Sequence, residues 1–187
     1  MRSSFVTLIK RNLRSIFLSA AAFISIGGMT LAVTSQQFIY SVPQQGSYSL
    51  SSLDLVPEGS GAAGNYFADQ TVLAQANSSQ RECFGTGVHL PQGAKLSDVV
   101  LFYNSPRANS IFLYLHRYSP PTNNQLFIVG SDVGNGNGIP STVKVQVSTS
   151  VAPIDNVKFH YTFGVCLSNG AAMLGGRVDY TYTSAGD

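Results

Sequence analysis

Apolar and polar residues alternate along several segments in the second half of the chain. In residues 157–167 every second residue is Val, Phe, Tyr or Leu, and Lys, His, Thr, Gly and Cys stand between them. This period of two is typical of a β-strand with one buried face and is hard to obtain from a helix. Residues 143–147 and 178–182 repeat it, so we predict that all three segments are half-buried antiparallel strands.

Two further segments, residues 99–103 and 111–115, are apolar on both faces of a strand. A turn containing Pro and Asn separates them, and we predict that they form a hairpin. Phe102, Phe112 and Tyr114 would then lie in register on one face of that hairpin. Aromatic residues arranged in this way present a surface to a sugar ring or a protein partner, unless another part of the chain covers them.

The fold class that these patterns predict is all-β: an antiparallel, jelly-roll-like β-sandwich. Roughly eight strand candidates follow residue 68, separated by Gly, Pro and Asn clusters at the regular spacing of sandwiches. We assign residues 68–187 to the sandwich domain. Residues 36–67 are rich in Ser and Gly, and we assign them to an N-terminal arm or linker with one edge strand around residues 50–56.

The start of the chain has the composition of an export signal. Arg2, Lys10, Arg11 and Arg14 precede an uncharged apolar run at residues 16–33. The basic segment stays on the cytoplasmic side while the apolar run enters the membrane. We therefore predict a signal peptide or a signal-anchor helix in front of the sandwich.

Two fates are open for this N-terminal segment, residues 1–35. Small residues at positions 33–35 suit cleavage by a signal peptidase. An uncleaved helix of the apolar run would span roughly 27 Å, just short of the roughly 30 Å hydrocarbon core, and would act as an anchor. Either fate places the rest of the chain outside the cytoplasm, secreted or in the cell envelope, with membrane contact only through the uncleaved segment.

The charge of the exported part argues against two classes of partner. Beyond residue 35 the chain has seven basic and nine acidic residues, a formal charge of −2. This balance offers no electrostatic attraction to nucleic acid or to an anionic lipid surface. Trp is absent, so a sugar-binding surface would have to use Tyr and Phe.

The chain has two cysteines, Cys83 and Cys166, in a segment that we expect to mature where disulfides form. We predict that they are bonded to each other. Cys166 stands on the polar side of its strand, so the bond would join neighbouring strands or tie a sheet to a loop. The separation of the two cysteines excludes a CxxC redox pair and a zinc site.

The run VHLPQGAKLSDV at residues 88–99, followed by an aromatic strand and LYLHR at 113–117, resembles a diffuse group of uncharacterised secreted bacterial domains. In that group a cysteine-bearing strand leads into an L-P-x-G-A turn, and a later F-x-Y-x-F-x-V-x-L strand carries the second cysteine, here residues 159–167 with Cys166. The resemblance covers residues 82–182. It implies a bacterial, jelly-roll-like sandwich with a cysteine staple and no assigned activity.

Candidate catalytic histidines are scattered along the chain. His89, His116 and His160 fall in three separate predicted elements, and the sequence has no G-x-S-x-G nucleophile elbow. Its two glutamates and seven aspartates form no pattern that indicates the opposed carboxylates of a glycosidase. We therefore expect a protein that is not an enzyme.

The segment around Asp132, Asn135 and Asn137 is the only calcium candidate. It offers oxygen ligands on a Gly-rich backbone, loosely like a calcium loop. The spacing differs from that of an EF-hand and no bidentate Glu follows. We expect an ordinary Gly/Asn turn, no metal site and no cofactor.

These features favour a secreted, non-catalytic β-sandwich module that binds a carbohydrate or a cell-surface protein through Phe102, Phe112 and Tyr114. Two alternatives stand beside it. One is a structural envelope subunit that donates its N-terminal arm to a neighbouring chain. The other is a small secreted hydrolase that uses His160 or His116 with a nearby carboxylate.

Overall fold

A computed structural model describes residues 38–58, 66–69, 72–75, 80–122 and 124–185. The predicted signal or anchor segment at 1–35 lies outside these residues. One 3-10 turn at Ser52–Asp54 accompanies the strands, and no described helix is long and apolar enough to span a membrane. The strands are β1 (Phe38–Ser51), β2 (Val56–Pro57), β3 (Tyr66–Ala68), β4 (Leu73–Gln75), β5 (Glu82–Gly87), β6 (Lys95–Asn104), β7 (Ala108–Ser119), β8 (Asn124–Asn135), β9 (Pro140–Gln146), β10 (His160–Leu167) and β11 (Ala172–Ala185).

The strands form two antiparallel sheets. Sheet A has the order β3-β4-β11-β6-β9, with β1 paired to β11 as its sixth strand. Sheet B has the order β2-β5-β10-β7-β8. The predicted all-β antiparallel sandwich is confirmed.

The core lies between the inner faces of the two sheets. Phe84 and Phe163 of sheet B are the largest of its fully buried side chains. Gly176 of sheet A makes room for Phe163, because a Cβ at Gly176 would lie 2.6 Å from the Phe163 ring. Each such side chain contributes roughly 1.5–3 kcal/mol through its burial, so this layer holds the two sheets together.

The strand predicted at 157–167 begins three residues later than its alternating pattern. β10 starts at His160, and Val157 is 89% exposed. The preceding residues form a turn in which the Phe159 amide donates to the Asp155 carbonyl (2.9 Å), so the backbone there bonds to itself and not to a neighbouring strand. Within β10 the predicted inward residues are all buried: Tyr161, Phe163, Val165 and Leu167.

The predicted hairpin of residues 99–103 and 111–115 is wrong. Both segments are strands, but β6 pairs with β11 and β9 in sheet A, whereas β7 pairs with β10 and β8 in sheet B. The short connection between them takes the chain from one sheet to the other. The hydroxyl of Ser105 in this connection is buried and lies 2.6 Å from that of Ser110, which satisfies both groups where the chain crosses.

The Ser-rich segment ahead of the predicted domain contains the long strand β1. Tyr48 packs against the core and Leu50 is buried in it, whereas Ser47 and Ser49 face solvent. Residues 52–54 form the 3-10 turn, so of the edge strand expected at residues 50–56 only residues 50–51, at the end of β1, and residue 56, at the start of β2, are in strands.

Candidate functional site

A cluster of aromatic side chains lies on the outer face of sheet B. Phe112, Tyr114 and His116 alternate along β7 and point away from the core, and Phe127 joins them from β8. We call these four residues the aromatic face. They border a cavity of about 300 Å³ whose remaining lining residues are Glu58, Gln125, Thr162 and the two cysteines.

The rings of the aromatic face have a regular arrangement. Tyr114 is parallel to His116 (centroids 5.5 Å apart) and nearly parallel to Phe112 (6.1 Å). Phe127 stands edge-on to all three at 5.9–6.3 Å. Tyr114 is only 4% exposed, whereas Phe127 is 56% exposed. Phe127 is therefore the most exposed ring of this cluster, and Phe112 is partly exposed beside it.

A β-bulge places Phe127 above the other rings. The register between β7 and β8 shifts after the Leu115–Val129 pair, so that His116 pairs with Phe127 and Ile128 is the extra residue. Such a bulge re-aims the side chains on either side of it. Without it, the residue opposite His116 would be Ile128, and Phe127 would face the other side of the sheet.

Glycines on the neighbouring strands leave space for the Tyr114 ring and for the Glu58 carboxylate. Gly164 is the direct partner of Tyr114 in β10, and a Cβ there would lie 2.1 Å from Tyr114 Cζ. The tyrosine therefore lies across the backbone of β10. Gly85, which pairs with Gly164 on β5, leaves the same kind of space beneath the Glu58 carboxylate.

Glu58 supplies the negative charge at this site. The Tyr114 hydroxyl donates to the Phe84 carbonyl (3.4 Å) and also lies within reach of the Glu58 carboxylate. Burial, hydrogen bonding to Glu58 and the Glu58 charge together raise the pKa of Tyr114. Burial also lowers the pKa of His116, although the Glu58 charge opposes that change. Near neutral pH the phenol is protonated and the imidazole is uncharged.

The predicted Cys83–Cys166 disulfide is confirmed. The cysteines are direct partners on β5 and β10, with Cα atoms 3.8 Å apart. Cys166 also pairs with Phe112 on its other side. The bond joins neighbouring strands of one sheet, and it borders the aromatic cavity.

The three predicted binding residues do not share one face. Phe112 and Tyr114 lie together in the aromatic face, but Phe102 lies on the outer face of sheet A, where it pairs with Gly175 and Thr142. The N-terminal strand β1 belongs to sheet A, whereas Phe112 and Tyr114 lie on sheet B; Tyr114 is buried by its own neighbours. Phe102 is 36% exposed and stands apart from the cavity.

The candidate calcium ligands are engaged in other contacts. Asp132 forms an ion pair with Arg81 (2.6 Å). Asn135 bonds to Ser141, and the Asn137 side chain accepts a hydrogen bond from the Ile139 amide (3.2 Å). Within the ranges that the structure describes, no group of three His, Cys, Asp or Glu side chains is placed to hold a metal ion.

The other two histidines border a separate cavity of about 460 Å³. His89 lies in the loop after β5, and His160 begins β10; both are exposed. Thr162 lines this cavity and the aromatic cavity alike. The two hollows therefore adjoin on the outer face of sheet B.

A larger hollow of about 580 Å³ lies on the outer face of sheet A. Its walls carry two ion pairs, Lys144–Asp98 (3.0 Å) and Arg177–Asp179 (2.7 Å). In each pair the two opposite charges neutralise each other. We favour the smaller aromatic cavity because it combines a large exposed apolar ring with polar groups at its edge, which is typical of small-ligand sites.

Sequence reasoning missed Phe127 and Glu58. Phe127 sits in a run of apolar residues, Leu126–Val129, which indicates a strand but not which side chain faces outward once a bulge intervenes. Glu58 follows Pro57 in a segment assigned to the arm, and nothing in its neighbours points to β5. Only the pairing of β2 with β5 brings its carboxylate to Tyr114.

No family model matches the chain, and no curated protein matches it. Among solved structures the chain is similar to a xylan-binding module, CBM15, with 7% identity and a TM-score of 0.48 over 76% of this chain and 100% of the module. It is also similar to the C-terminal CBM6 of the laminarinase LamC from Zobellia galactanivorans (11% identity, TM-score 0.39, 71% and 98% covered). A third similar structure is TmCBM61, solved with β-1,4-galactotriose (11% identity, TM-score 0.33, covering 78% of this chain and 90% of that module).

Proposed function

We propose that this chain is a non-catalytic, extracytoplasmic binding module that holds carbohydrate on the aromatic face of sheet B. The observation that carries the proposal is the exposed Phe127 ring, set edge-on above three parallel rings beside a cavity with polar groups at its edge. A pyranose ring has an apolar C–H face and hydroxyls around its rim. The aromatic face suits the first of these features and the polar groups suit the second.

The polar residues at the cavity have the chemistry that sugar hydroxyls need. The Glu58 carboxylate accepts hydrogen bonds, the Gln125 amide both donates and accepts, and the Thr162 hydroxyl does either. A site that forms such bonds rejects analogues lacking the hydroxyl, because its own polar groups would be left unpaired. The aromatic face would supply most of the affinity and these three residues the selectivity.

The ligand site extends along β10 in this proposal. Thr162 lies between the aromatic cavity and the hollow bordered by His89 and His160. The strand rises about 20 Å from Cys166 to His160 at the usual spacing per residue. A linear oligosaccharide of several rings would fit along this line better than a single monosaccharide.

Binding to an array of glycans by the full chain tests the proposal. Phe127→Ala removes the exposed ring and should weaken binding about tenfold or more, since burying such a ring is worth roughly 1.5–3 kcal/mol. Phe102→Ala is the matched control: the same change at a partly exposed Phe on the opposite sheet, with no expected effect. Equal losses in both variants, or no binding to any glycan, would overturn the proposal.

The hydrolase alternative has one observation in its favour. His116 and Glu58 line the same cavity, and the Glu58 charge acts on the imidazole. The oligosaccharides that bind can be assayed for new reducing ends over several hours. Release of product that His116→Gln abolishes would establish hydrolysis, whereas intact ligand supports a binding module.

We also propose export through residues 1–35, followed by the arm at residues 36–67 and the sandwich domain at residues 68–187, with β1 of the arm adding a strand to sheet A. The disulfide supports an oxidising compartment. The mass of the protein recovered from its native host distinguishes the two fates of the segment. A mature N-terminus after residue 35 indicates a released module, and an intact chain in the membrane fraction indicates an anchored one.

A further inference from the structure

The charge around the aromatic cavity is one-sided. Among the described residues that line it, Glu58 carries a formal charge and none is Lys or Arg. His116 faces Glu58 from the aromatic face, and burial lowers its pKa, so it adds no positive charge near neutral pH. Arg81 does not line the cavity; its guanidinium lies 6.0 Å from the Phe112 ring and is paired with Asp132 at 2.6 Å.

The aromatic rings that border the cavity also favour a positively charged group, as Glu58 does. The face of an aromatic ring carries partial negative charge and attracts cations within about 6 Å, more strongly where water is excluded. Four rings surround this cavity, and Tyr114 and His116 are buried. A positive group entering here would meet the Glu58 carboxylate and the exposed Phe127 ring, whereas a negative group would meet repulsion from Glu58.

We infer that the aromatic cavity selects its glycan by charge and prefers an oligosaccharide that carries ammonium groups, an amino sugar, over neutral and acidic ones. The inference rests on the proposed function and names the ligand class of the same site. The ammonium group lies against the aromatic face and pairs with Glu58. Carboxylated or sulfated glycans bind weakest because the cavity offers them no cation.

A matched set of ligands tests this selectivity. Tetramers of β-1,4-linked glucose, glucosamine and glucuronate share one backbone and differ in charge. Titration calorimetry with the full chain, at a pH where the amine is protonated and His116 is not, should rank glucosamine above glucose by about tenfold, from one partly desolvated cation–aromatic contact and one ion pair. The glucuronate tetramer should bind more weakly than glucose. Added salt should weaken the glucosamine tetramer and leave the glucose tetramer nearly unchanged.

Two variants separate charge from structure. Glu58→Gln removes the negative charge but keeps a carbonyl oxygen that can accept the Tyr114 hydrogen bond, so the protein should stay folded and its glucosamine preference should fall severalfold. Asp98→Asn removes a charge from the outer face of sheet A and should leave the ranking unchanged. Circular dichroism of both variants checks their fold.

The outcomes distinguish the two proposals. Equal affinity for glucose and glucosamine tetramers in the unmodified chain overturns the charge selectivity and leaves carbohydrate binding intact. A glucosamine preference that Glu58→Gln does not reduce also overturns it, because the carboxylate would then not be its source. If none of the three tetramers and no array glycan binds, carbohydrate binding itself fails, and the selectivity with it.

Discussion

Gly164→Ala should destabilise the fold because of the way Tyr114 lies across β10. An added Cβ would stand 2.1, 2.2 and 2.5 Å from three atoms at the hydroxyl end of the tyrosine, far inside van der Waals contact. The ring cannot tilt freely, since it is buried beside His116, Phe112 and Phe127. Either the tyrosine leaves its rotamer or the strands move apart.

The expected cost follows from these contacts. Overpacking of this kind costs about 1–3 kcal/mol, and the loss of glycine's freedom in the unfolded chain returns about 0.4–1 kcal/mol. The free energy of unfolding should therefore fall by about 1–2 kcal/mol. In urea, with a slope of about 1–3 kcal/mol/M, the midpoint should fall by roughly 0.5–1 M.

Gly85→Ala is the matched comparison on the neighbouring strand. Gly85 and Gly164 are direct partners, and the Gly85 Cβ would also stand 2.1 Å from a neighbouring atom. That atom is the Oε1 of Glu58, the end of an exposed and flexible side chain. It can swing aside, and the Tyr114 hydroxyl can still donate to the Phe84 carbonyl (3.4 Å). We therefore expect the stability to change by no more than about 0.5 kcal/mol, with a small gain if the glycine entropy dominates.

A double-mutant cycle isolates the clash. In a Tyr114→Ala background the cost of Gly164→Ala should disappear, because the ring it strikes is gone. The reasoning is refuted if the two glycine variants have the same stability, or if Gly164→Ala costs as much without the tyrosine as with it. Urea unfolding, followed by fluorescence and circular dichroism, measures the free energy of unfolding of the unmodified chain, the two single variants and the double variant.

Three more predictions concern pH, the disulfide and a surface ion pair. The folded pKa of His116 lies below its ordinary value of 6.5, so in the acid range the unfolded chain binds more protons than the folded one. The contribution of His116 to the free energy of unfolding is therefore complete above about pH 6.5 and is lost as the pH falls through the folded pKa. Urea midpoints at a series of pH values should show this loss in the unmodified chain and less of it in His116→Gln; identical profiles would contradict it. Replacing Cys83 and Cys166 together by Ala removes a disulfide between residues 83 positions apart. In the chain-entropy account the free energy of unfolding should fall by about 4–5 kcal/mol, measured by the same unfolding assay. A fall of less than about 1 kcal/mol would contradict this account, because the unfolded chain would then gain little freedom. Lys144→Ala breaks the ion pair with Asp98, but the lysine is 61% exposed, so thermal unfolding should show a change below about 1 kcal/mol that shrinks further in high salt.

The sequence by itself determined the strands and the covalent link between two of them. The alternation in β9, β10 and β11 is a local property, because a strand at the surface of one core must turn apolar residues inward and polar ones outward. The disulfide could be predicted because the chain has two cysteines and an export signal that leads us to expect an oxidising compartment. The same alternation is present in β1, where Tyr48 and Leu50 face the core, but Ser, Gln and Gly made it look like a linker.

The tertiary structure decided which strands are neighbours, and with that the site. Nothing local distinguishes a hairpin from a crossover between sheets, so Phe102 could not be separated from Phe112 and Tyr114 before β6 and β7 were placed in different sheets. Phe127 reaches the aromatic face through a one-residue bulge, and Glu58 through a two-residue strand paired to β5. Period-two patterning fixes the face of a side chain relative to its own strand only. Register, bulges and strand order are set by long-range pairing, and they decide which side chains meet.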